Sequence, residues 1–155
     1  MANSVKPKPE GYNSVTPYLV VKGGAAAIDF YKKIFGASEI MRMPQPDGRI
    51  GHAELRVGDS VVMLADEHPE MNIVGPATLG NSPVGLLLYV DDADKTFNAA
   101  VSAGAKVEKA MADQFYGDRT GTLVDPFGHK WTIATHKEDV TPEEMERRMA
   151  AMSSK

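Results

Sequence analysis

The 155-residue sequence contains no cysteine, no long apolar run and no excess of positive charge. The lack of cysteine excludes disulfides, thiolate-bound zinc or iron–sulfur clusters and thiol catalysis, and it is compatible with a reducing, cytoplasmic environment. No apolar stretch approaches the ~20 residues that span a bilayer, so we expect no membrane partner. The net charge of −4 gives no reason to expect nucleic acid as a partner, because phosphate binding needs clustered lysine and arginine.

The N-terminal segment lacks the apolar core of a secretion signal, and its lysines and prolines predict a flexible arm over residues 1–11. The rest of the composition, 43% hydrophobic and 25% charged, is that of an ordinary globular protein. The length suits one compact domain, which we place at residues 12–137.

The second half of the sequence repeats the plan of the first. In each half, an apolar strand precedes an amphipathic helix that ends at a glycine, Gly36 in one half and Gly104 in the other. Three short strands follow each helix and are separated by turn sequences. The repeat predicts an α+β fold of two βαβββ modules, residues 12–65 and 83–137, whose cupped mixed sheets enclose a concave small-molecule pocket.

Apolar periodicity gives approximate bounds for the elements of both modules. Helices are predicted over residues 25–34 and 93–103. Strands are predicted over residues 15–21, 38–43, 49–57, 60–65, 84–90, 106–112, 120–124 and 129–135.

The remaining segments are predicted from their lack of periodicity or from capping signals. Residues 66–82 mix turn formers and charges, which predicts a linker that could cover the cavity. Residues 138–155 are predicted to hold a helix that packs its methionines on the body or on a partner, because Thr141 and Glu144 have the spacing of a capping box. His68 and His136 are expected to lie in solvated loops.

The strand over residues 49–57 has the clearest alternation of the chain. Ala53 and Leu55 share an apolar face that should pack under the helix, whereas His52 and Glu54 share the opposite face and point toward the pocket. Such a pair can act as a general base with its orienting group, or as two metal ligands if a third comes from elsewhere. The alternative is a partly solvated polar face. His52 and Glu54 are therefore the candidate catalytic residues.

Three segments carry a family resemblance: FYKKIFGA (residues 30–37), GHAELRVGDSVVML (residues 51–64) and DPFGHKW (residues 125–131). They resemble the glyoxalase/bleomycin resistance protein/dioxygenase superfamily, also called the vicinal oxygen chelate fold. Over residues 12–136 the sequence looks most like PhnB-type glyoxalase-related proteins. The resemblance implies the two-module fold but no single activity, because this fold hosts isomerases, epimerases, dioxygenases, thiol transferases and binding proteins.

Enzymes of that superfamily generally hold a divalent metal with His, Glu or Gln side chains on four strands. The resemblance places the corresponding positions of this sequence at Thr16, Met63, Gly85 and Thr132. Threonine hydroxyls are weak ligands, methionine suits copper(I), and glycine has no side chain. We therefore expect no metal at these positions and no cofactor, with Met63 as part of the ligand-binding surface.

The resemblance also suggests ligand-binding residues outside the metal positions. Alternation from Thr16 and Gly85 turns Tyr18 and Tyr89 toward the cavity, where the two rings would stack on a flat ligand or fill the space as core. In PhnB-type proteins the region of Tyr116 and Arg119 lines the pocket mouth, so Arg119 could pair with an anionic substrate group. The structural alternative for Arg119 is an ion pair with one of the carboxylates of Asp118, Asp125 and Glu54.

Three functions fit the sequence. The first is metal-free binding of a small organic molecule, as in bleomycin resistance proteins, and the pI of about 5.5 would suit a cationic aromatic ligand. The second is a lyase, isomerase or dioxygenase-type enzyme with a non-standard site around His52 and Glu54. The third is an interaction protein that docks through its C-terminal helix. Relatives usually pair modules within or between chains, so we expect a homodimer in each case.

Overall fold

The computed structural model describes residues 4–154, and the chain divides into two compact units between Asn81 and Ser82. The start of the predicted arm (residues 1–3) and the end of the predicted C-terminal helix (Lys155) lie outside the described residues. Each unit contains one βαβββ module and a four-stranded mixed sheet. The predicted α+β class and the two-module plan are thereby confirmed.

Unit 1 has the strand order β1-β4-β3-β2, in which β1 runs parallel to β4 and the other pairs are antiparallel. Its elements are β1 (Tyr18–Val21), α1 (Gly24–Phe35), β2 (Ser38–Pro44), β3 (Ile50–Val57), β4 (Ser60–Asp66), a 3₁₀ turn (Pro69–Met71) and α2 (Pro76–Leu79). β1 is shorter than predicted, because Pro17 has no N–H with which to extend the ladder.

Helix α1 covers one face of this sheet. Leu55 and Leu64 from the sheet and Ile28 and Tyr31 from the helix are almost completely buried, which matches the predicted apolar stripes. The helix ends at Gly36, whose φ of 67° lies in the left-handed region that favours glycine. Among the described residues of unit 1, no helix packs on the opposite face of the sheet, which we call the helix-free face of unit 1.

Asp66 fastens the start of α1 to the sheet. Its Oδ1 accepts hydrogen bonds from the N–H groups of Gly23 and Gly24, both at 2.8 Å, and its Oδ2 accepts from the N–H of Ile50 at 2.7 Å. Gly24 has to be glycine, because a Cβ there would lie 2.7 Å from Asp66 Oδ2 and 2.8 Å from the Cβ of Ile50. Gly23 and Gly24 therefore both serve this carboxylate.

Unit 2 repeats the arrangement with the strand order β5-β8-β7-β6, in which β5 is parallel to β8. Its elements are β5 (Gly85–Tyr89), α3 (Ala93–Ser102), β6 (Lys106–Asp113), β7 (Asp118–Val124), β8 (Lys130–His136) and α4 (Pro142–Ser153). The side chain of Asp92 caps α3 by accepting a hydrogen bond from the N–H of Lys95 at 3.1 Å.

The core of unit 2 lies between α3 and the sheet. Phe97 from the helix and Leu123, Trp131 and Ile133 from the sheet are buried. The indole Nε1 of Trp131 donates to Asp125 Oδ2 at 2.9 Å, so this buried ring has its polar atom satisfied.

The segment predicted to be a linker carries structure and belongs almost entirely to unit 1. Buried Glu67 organises it by accepting hydrogen bonds from the N–H of Gly75 and the hydroxyl of Thr78, both at 2.8 Å. His68 is also buried and forms a backbone bridge with Ile73, so the expectation of a solvated His68 was wrong. Sequence periodicity could not reveal this segment, because side-chain hydrogen bonds to the backbone organise it.

Helix α4 begins at the predicted cap, where Thr141 Oγ1 accepts from the N–H of Glu144 at 3.2 Å. Its attachment to unit 2 is polar, since Arg148 donates to the carbonyl of Phe115 at 3.0 Å and pairs with Glu138 at 2.8 Å. No described residue of α4 is buried, and Met149 is 51% exposed. The predicted packing of its methionines on the body is not observed within unit 2. No helix within residues 4–154 is both long enough and apolar enough to cross a membrane.

Candidate functional site

The helix-free face of unit 1 carries a row of hydrogen-bonded side chains. Ala53 and Leu55 are fully buried on the side of α1, which places His52 and Glu54 on the other side of β3, as the alternation predicts. Glu54 is only 8% exposed, although it lies on the face without a helix. A buried carboxylate needs partners, and its partners define the candidate site.

Glu54 receives one hydrogen bond on each carboxylate oxygen. His52 Nε2 lies 3.0 Å from Glu54 Oε1, and the hydroxyl of Tyr12 donates to Glu54 Oε2. On the other side of the imidazole, His52 Nδ1 lies 2.7 Å from the hydroxyl of Tyr18. With Glu54 ionised, the consistent tautomer of a neutral His52 carries its proton on Nε2, so that Nδ1 accepts from Tyr18. The row therefore runs from Tyr18 through His52 and Glu54 to Tyr12.

The electrostatics of the row favour charge on Glu54 and neutral tyrosines. The hydrogen bond with His52, followed by that from Tyr12, lowers the pKa of Glu54 below its usual value. The hydrogen bond to Glu54 raises the pKa of Tyr12, and burial together with the charge of Glu54 raises the pKa of Tyr18. Both phenols therefore stay protonated and act as hydrogen-bonding groups rather than as phenolates.

A concavity of about 530 Å³ lies beside this row, within unit 1. The sheet contributes Glu54 and Met63 to its lining, and the segment before β1 contributes Thr16 and Tyr12. Met63 pairs in register with both Tyr18 and Glu54 and so lies on the same face of the sheet as these residues. This volume lies within the range of small-molecule sites.

Unit 2 carries a different row, at the ends of its strands. The hydroxyl of Tyr89 donates to Asp118 Oδ2 at 2.7 Å, and Asp118 Oδ1 lies 2.6 Å from His136 Nδ1. His136 Nε2 lies 2.7 Å from Asp139. Hydrogen bonds to Asp118 and Asp139 raise the pKa of His136. Burial would raise the pKa of Asp118, but the hydrogen bonds from His136 and Tyr89 outweigh it and lower this pKa. His136 therefore lies at the end of β8 as an ion-pair partner and not in a loop, while its side chain is half exposed, as predicted.

The other predicted ligand-binding residues lie in unit 2. The guanidinium of Arg119 forms a two-point ion pair with Asp94 of α3, at 2.6 and 2.9 Å, and a further contact with Asp113 at 3.2 Å. Its acidic partners, Asp94 and Asp113, are thus not the three that the sequence suggested. Tyr116 lies in the turn before β7, edge-on to Phe115 at a centroid distance of 5.3 Å.

Two functional candidates escaped the sequence analysis. No pattern in the sequence marks Tyr12, because this residue follows an aperiodic arm. Its role becomes visible only through the contact of its hydroxyl with Glu54. Asp118 was considered only as a partner of Arg119, because its contact with His136 depends on the register between β7 and β8, in which the two residues face each other. Extending the alternation of β8 by one residue beyond Thr135 would have placed His136 on a strand.

The positions that the resemblance aligns with the family's metal ligands carry side chains that are poor ligands for a divalent cation. In unit 1, Met63 offers a thioether and Thr16 a weak hydroxyl. In unit 2, Gly85 offers no side chain, and the hydroxyl of Thr132 is engaged with that of Thr122 at 2.9 Å. Residues 4–154 contain no group of three or more His, Asp or Glu side chains that could hold a metal ion. The donor chemistry of these positions therefore favours a function without the family metal.

Comparisons with known proteins place this geometry in a family. A family model described as the Glyoxalase/Bleomycin resistance protein/Dioxygenase superfamily matches residues 11–133. The chain belongs to this superfamily. An uncharacterized protein of Mycobacterium bovis is 43% identical over 157 residues, which cover 99% of this chain and 97% of that protein.

Solved structures of the superfamily share the fold. Protein PA1353 of Pseudomonas aeruginosa is 25% identical and aligns with a TM-score of 0.68 over 81% of this chain and 99% of that one. A PhnB protein of Bacillus cereus aligns with a TM-score of 0.63 over 79% of this chain and 99% of that one, at 15% identity. The predicted superfamily and the PhnB-like fold are thereby confirmed.

Proposed function

We propose that the protein binds a small organic molecule on the helix-free face of unit 1, without the divalent metal of its superfamily. The observation that carries this proposal is the row of Tyr18, His52, Glu54 and Tyr12 beside a concavity of about 530 Å³. It combines aromatic rings, a fixed carboxylate and a thioether, which is the mixture of apolar surface and few polar groups typical of ligand sites.

Binding of flat aromatic probes to purified protein tests this proposal. We expect saturable binding of 2-naphthol, at one site per chain, by isothermal titration calorimetry. Tyr18→Ala should weaken binding about tenfold or more, since it removes both a ring and a hydrogen-bonding group. Thr132→Val is the control, because it removes a side-chain hydroxyl of unit 2, whose residues do not line the concavity. An equal loss in both variants, or no saturable binding, would contradict the proposal.

The metal-free character has its own measurement. Protein purified without an affinity tag or added metal should hold less than about a tenth of an equivalent of zinc, nickel, manganese or iron by elemental analysis. Addition of these ions should leave the melting temperature unchanged, because a tightly bound metal would stabilise the folded state by mass action. One metal per chain that is lost in His52→Ala would instead make His52 and Glu54 ligands of a non-standard site.

A second candidate function is catalysis of the lyase, isomerase or dioxygenase type, and the Tyr18–His52–Glu54 row specifically favours it. In that row Glu54 orients His52, and His52 can accept a proton that Tyr18 releases. The raised pKa of Tyr18 opposes that release, which is why binding is our first choice. Turnover in dicarbonyl, epimerase or dioxygenase assays, reduced at least about 100-fold by His52→Gln, would establish the enzyme instead.

We also infer that the protein is a cytoplasmic homodimer. Its partner is a small molecule, and it binds neither nucleic acid nor a membrane. The superfamily resemblance supports the dimer, and the absence of cysteine with a net charge of −4 supports the rest. Light scattering on a sizing column measures the assembly directly. A monomer at micromolar concentration would refute the dimer without affecting the binding proposal.

A further inference from the structure

The concavity of unit 1 is closed on one side by the segment that precedes β1. Most of its lining comes from this segment and not from the sheet. The contributing residues of the segment are Pro7, Lys8, Pro9, Tyr12, Asn13, Ser14 and Thr16. We call residues 4–15 the N-terminal strap. The strap lies against the proposed ligand site, so any ligand there must either fit beneath it or move it.

Tyr12 is the residue of the strap that reaches the site. Its hydroxyl donates to Glu54 Oε2, while the other oxygen of the same carboxylate is held by His52. The two donors differ in origin, since His52 belongs to the sheet itself and is fixed by the pleat of β3. Tyr12 arrives from outside the sheet. The hydrogen-bonding position at Glu54 Oε2 is therefore the one that an incoming molecule could take over.

The strap is weakly attached to the rest of unit 1. None of residues 4–15 is buried, and Val5 and Val15 are 92% and 85% exposed. Besides the Tyr12 hydroxyl, Arg56 contributes a long hydrogen bond of 3.3 Å to the carbonyl of Gly11. A segment with so little buried surface opens more easily than the sheet on which it lies. Displacing the strap is thus far easier than rearranging the row beneath it.

We propose that Tyr12 stands in for the hydrogen-bond donor of the ligand, and that the ligand carries a phenol-like hydroxyl that replaces Tyr12 on Glu54. This inference rests on the proposed function of the same site. Glu54 already accommodates a phenol at this position, with a thioether and prolines nearby. Lys8 also lines the concavity, which disfavours a cationic donor there. In this exchange the phenol of the ligand replaces the phenol of Tyr12 on Glu54. The strap therefore competes with the ligand for the site.

A matched pair of probes tests the exchange. 2-Naphthol carries the hydroxyl, whereas 2-methoxynaphthalene has the same ring system without a donor. The variant Tyr12→Phe keeps the ring and the fold of the strap but removes the competing hydroxyl. We expect it to bind 2-naphthol about tenfold more tightly than the unmodified protein, because the Glu54 oxygen no longer has to be vacated. Its affinity for 2-methoxynaphthalene should not change.

Two controls make the outcomes distinct. Thr122→Val, which removes a buried hydroxyl in unit 2, should change neither affinity. Glu54→Gln should abolish the preference for the hydroxyl. Equal affinities of the two probes, or equal affinity of Tyr12→Phe and the unmodified protein for 2-naphthol, would refute the role of Tyr12 while leaving binding at the site intact. No binding of either probe to any variant would refute the proposed function along with it.

Discussion

The two units build the same scaffold and place different chemistry on it. In each, the hairpin between the second and third strands of the module closes in the same way, with Gln45 N–H donating to Arg49 O and Gln114 N–H donating to Asp118 O, both at 2.7 Å. The side chains at matching positions diverge. Arg49 of unit 1 forms surface ion pairs, whereas Asp118 of unit 2 is buried between Tyr89 and His136.

The divergence extends to the middle of the two sheets. Where unit 1 places Glu54 beside Met63, unit 2 places the hydrogen-bonded pair Thr122 and Thr132. Unit 1 thus has a charged group in the middle of its helix-free face, and unit 2 has its charged row at the strand ends, next to the C-terminal segment. The shared backbone plan provides a face in each unit, and a few side chains decide which polar groups that face presents.

The largest expected difference between the units concerns how each helix start is fastened. Asp66 serves three backbone N–H groups in unit 1, whereas in unit 2 Thr135 accepts from the N–H of Ala93 at 2.9 Å and donates to the carbonyl of Val90 at 2.7 Å. Asp66→Ala should lower the free energy of unfolding by about 3 kcal/mol or more, and Thr135→Ala by about 1–2 kcal/mol. Urea denaturation measures both.

The variant Asp66→Asn separates hydrogen bonding from packing in that experiment. Its amide oxygen can still accept from Gly23 and Gly24, but its NH₂ group cannot accept from Ile50. Its stability should fall between those of the unmodified protein and Asp66→Ala. If Asp66→Ala cost no more than Thr135→Ala, the three hydrogen bonds would not be what fastens α1.

The secondary structure was predictable because each element follows a period. Helix α1 was predicted over residues 25–34 and spans Gly24–Phe35, and β3 was predicted from residue 49 and spans Ile50–Val57. Alternation also placed His52 and Glu54 on one face. Tyr12 and Asp118 escaped prediction because their roles depend on partners 42 and 18 residues away. Register and loop paths determine such contacts, and apolar periodicity does not report them.

The second expected difference is in the pH dependence of stability, and it concerns the hydrogen-bonded row of unit 2. His136 lies between Asp118 and Asp139, with Tyr89 on the far side of Asp118, and its pKa is raised above the usual 6.5. Because the pKa of His136 is raised in the folded state, its ion pairs with the two aspartates stabilise the fold fully below pH about 6.5. This stabilisation is lost as the pH rises through the folded-state pKa.

The variant His136→Gln measures that contribution. It should lose more stability relative to the unmodified protein at pH 6 than at pH 9, since the positive charge is present only at the lower pH. Thermal unfolding at the two pH values gives the comparison. Asp139→Asn should have a smaller effect, because Asp139 is fully exposed to solvent and screened. A stability difference for His136→Gln that is equal at both pH values would contradict the ion-pair assignment.

The smallest expected effect comes from the threonine pair in the middle of the unit 2 sheet, where unit 1 instead has its charged row. Thr122→Val or Thr132→Val alone should destabilise by about 1 kcal/mol, because each leaves the partner hydroxyl without its hydrogen bond. The double variant replaces both hydroxyls with methyl groups of similar size and should come close to the unmodified protein. Urea denaturation of all four proteins gives the coupling. Additive losses of stability in the double variant would show that the two hydroxyls act independently. A loss of probe binding in any of the three variants would place the ligand on unit 2 instead of unit 1.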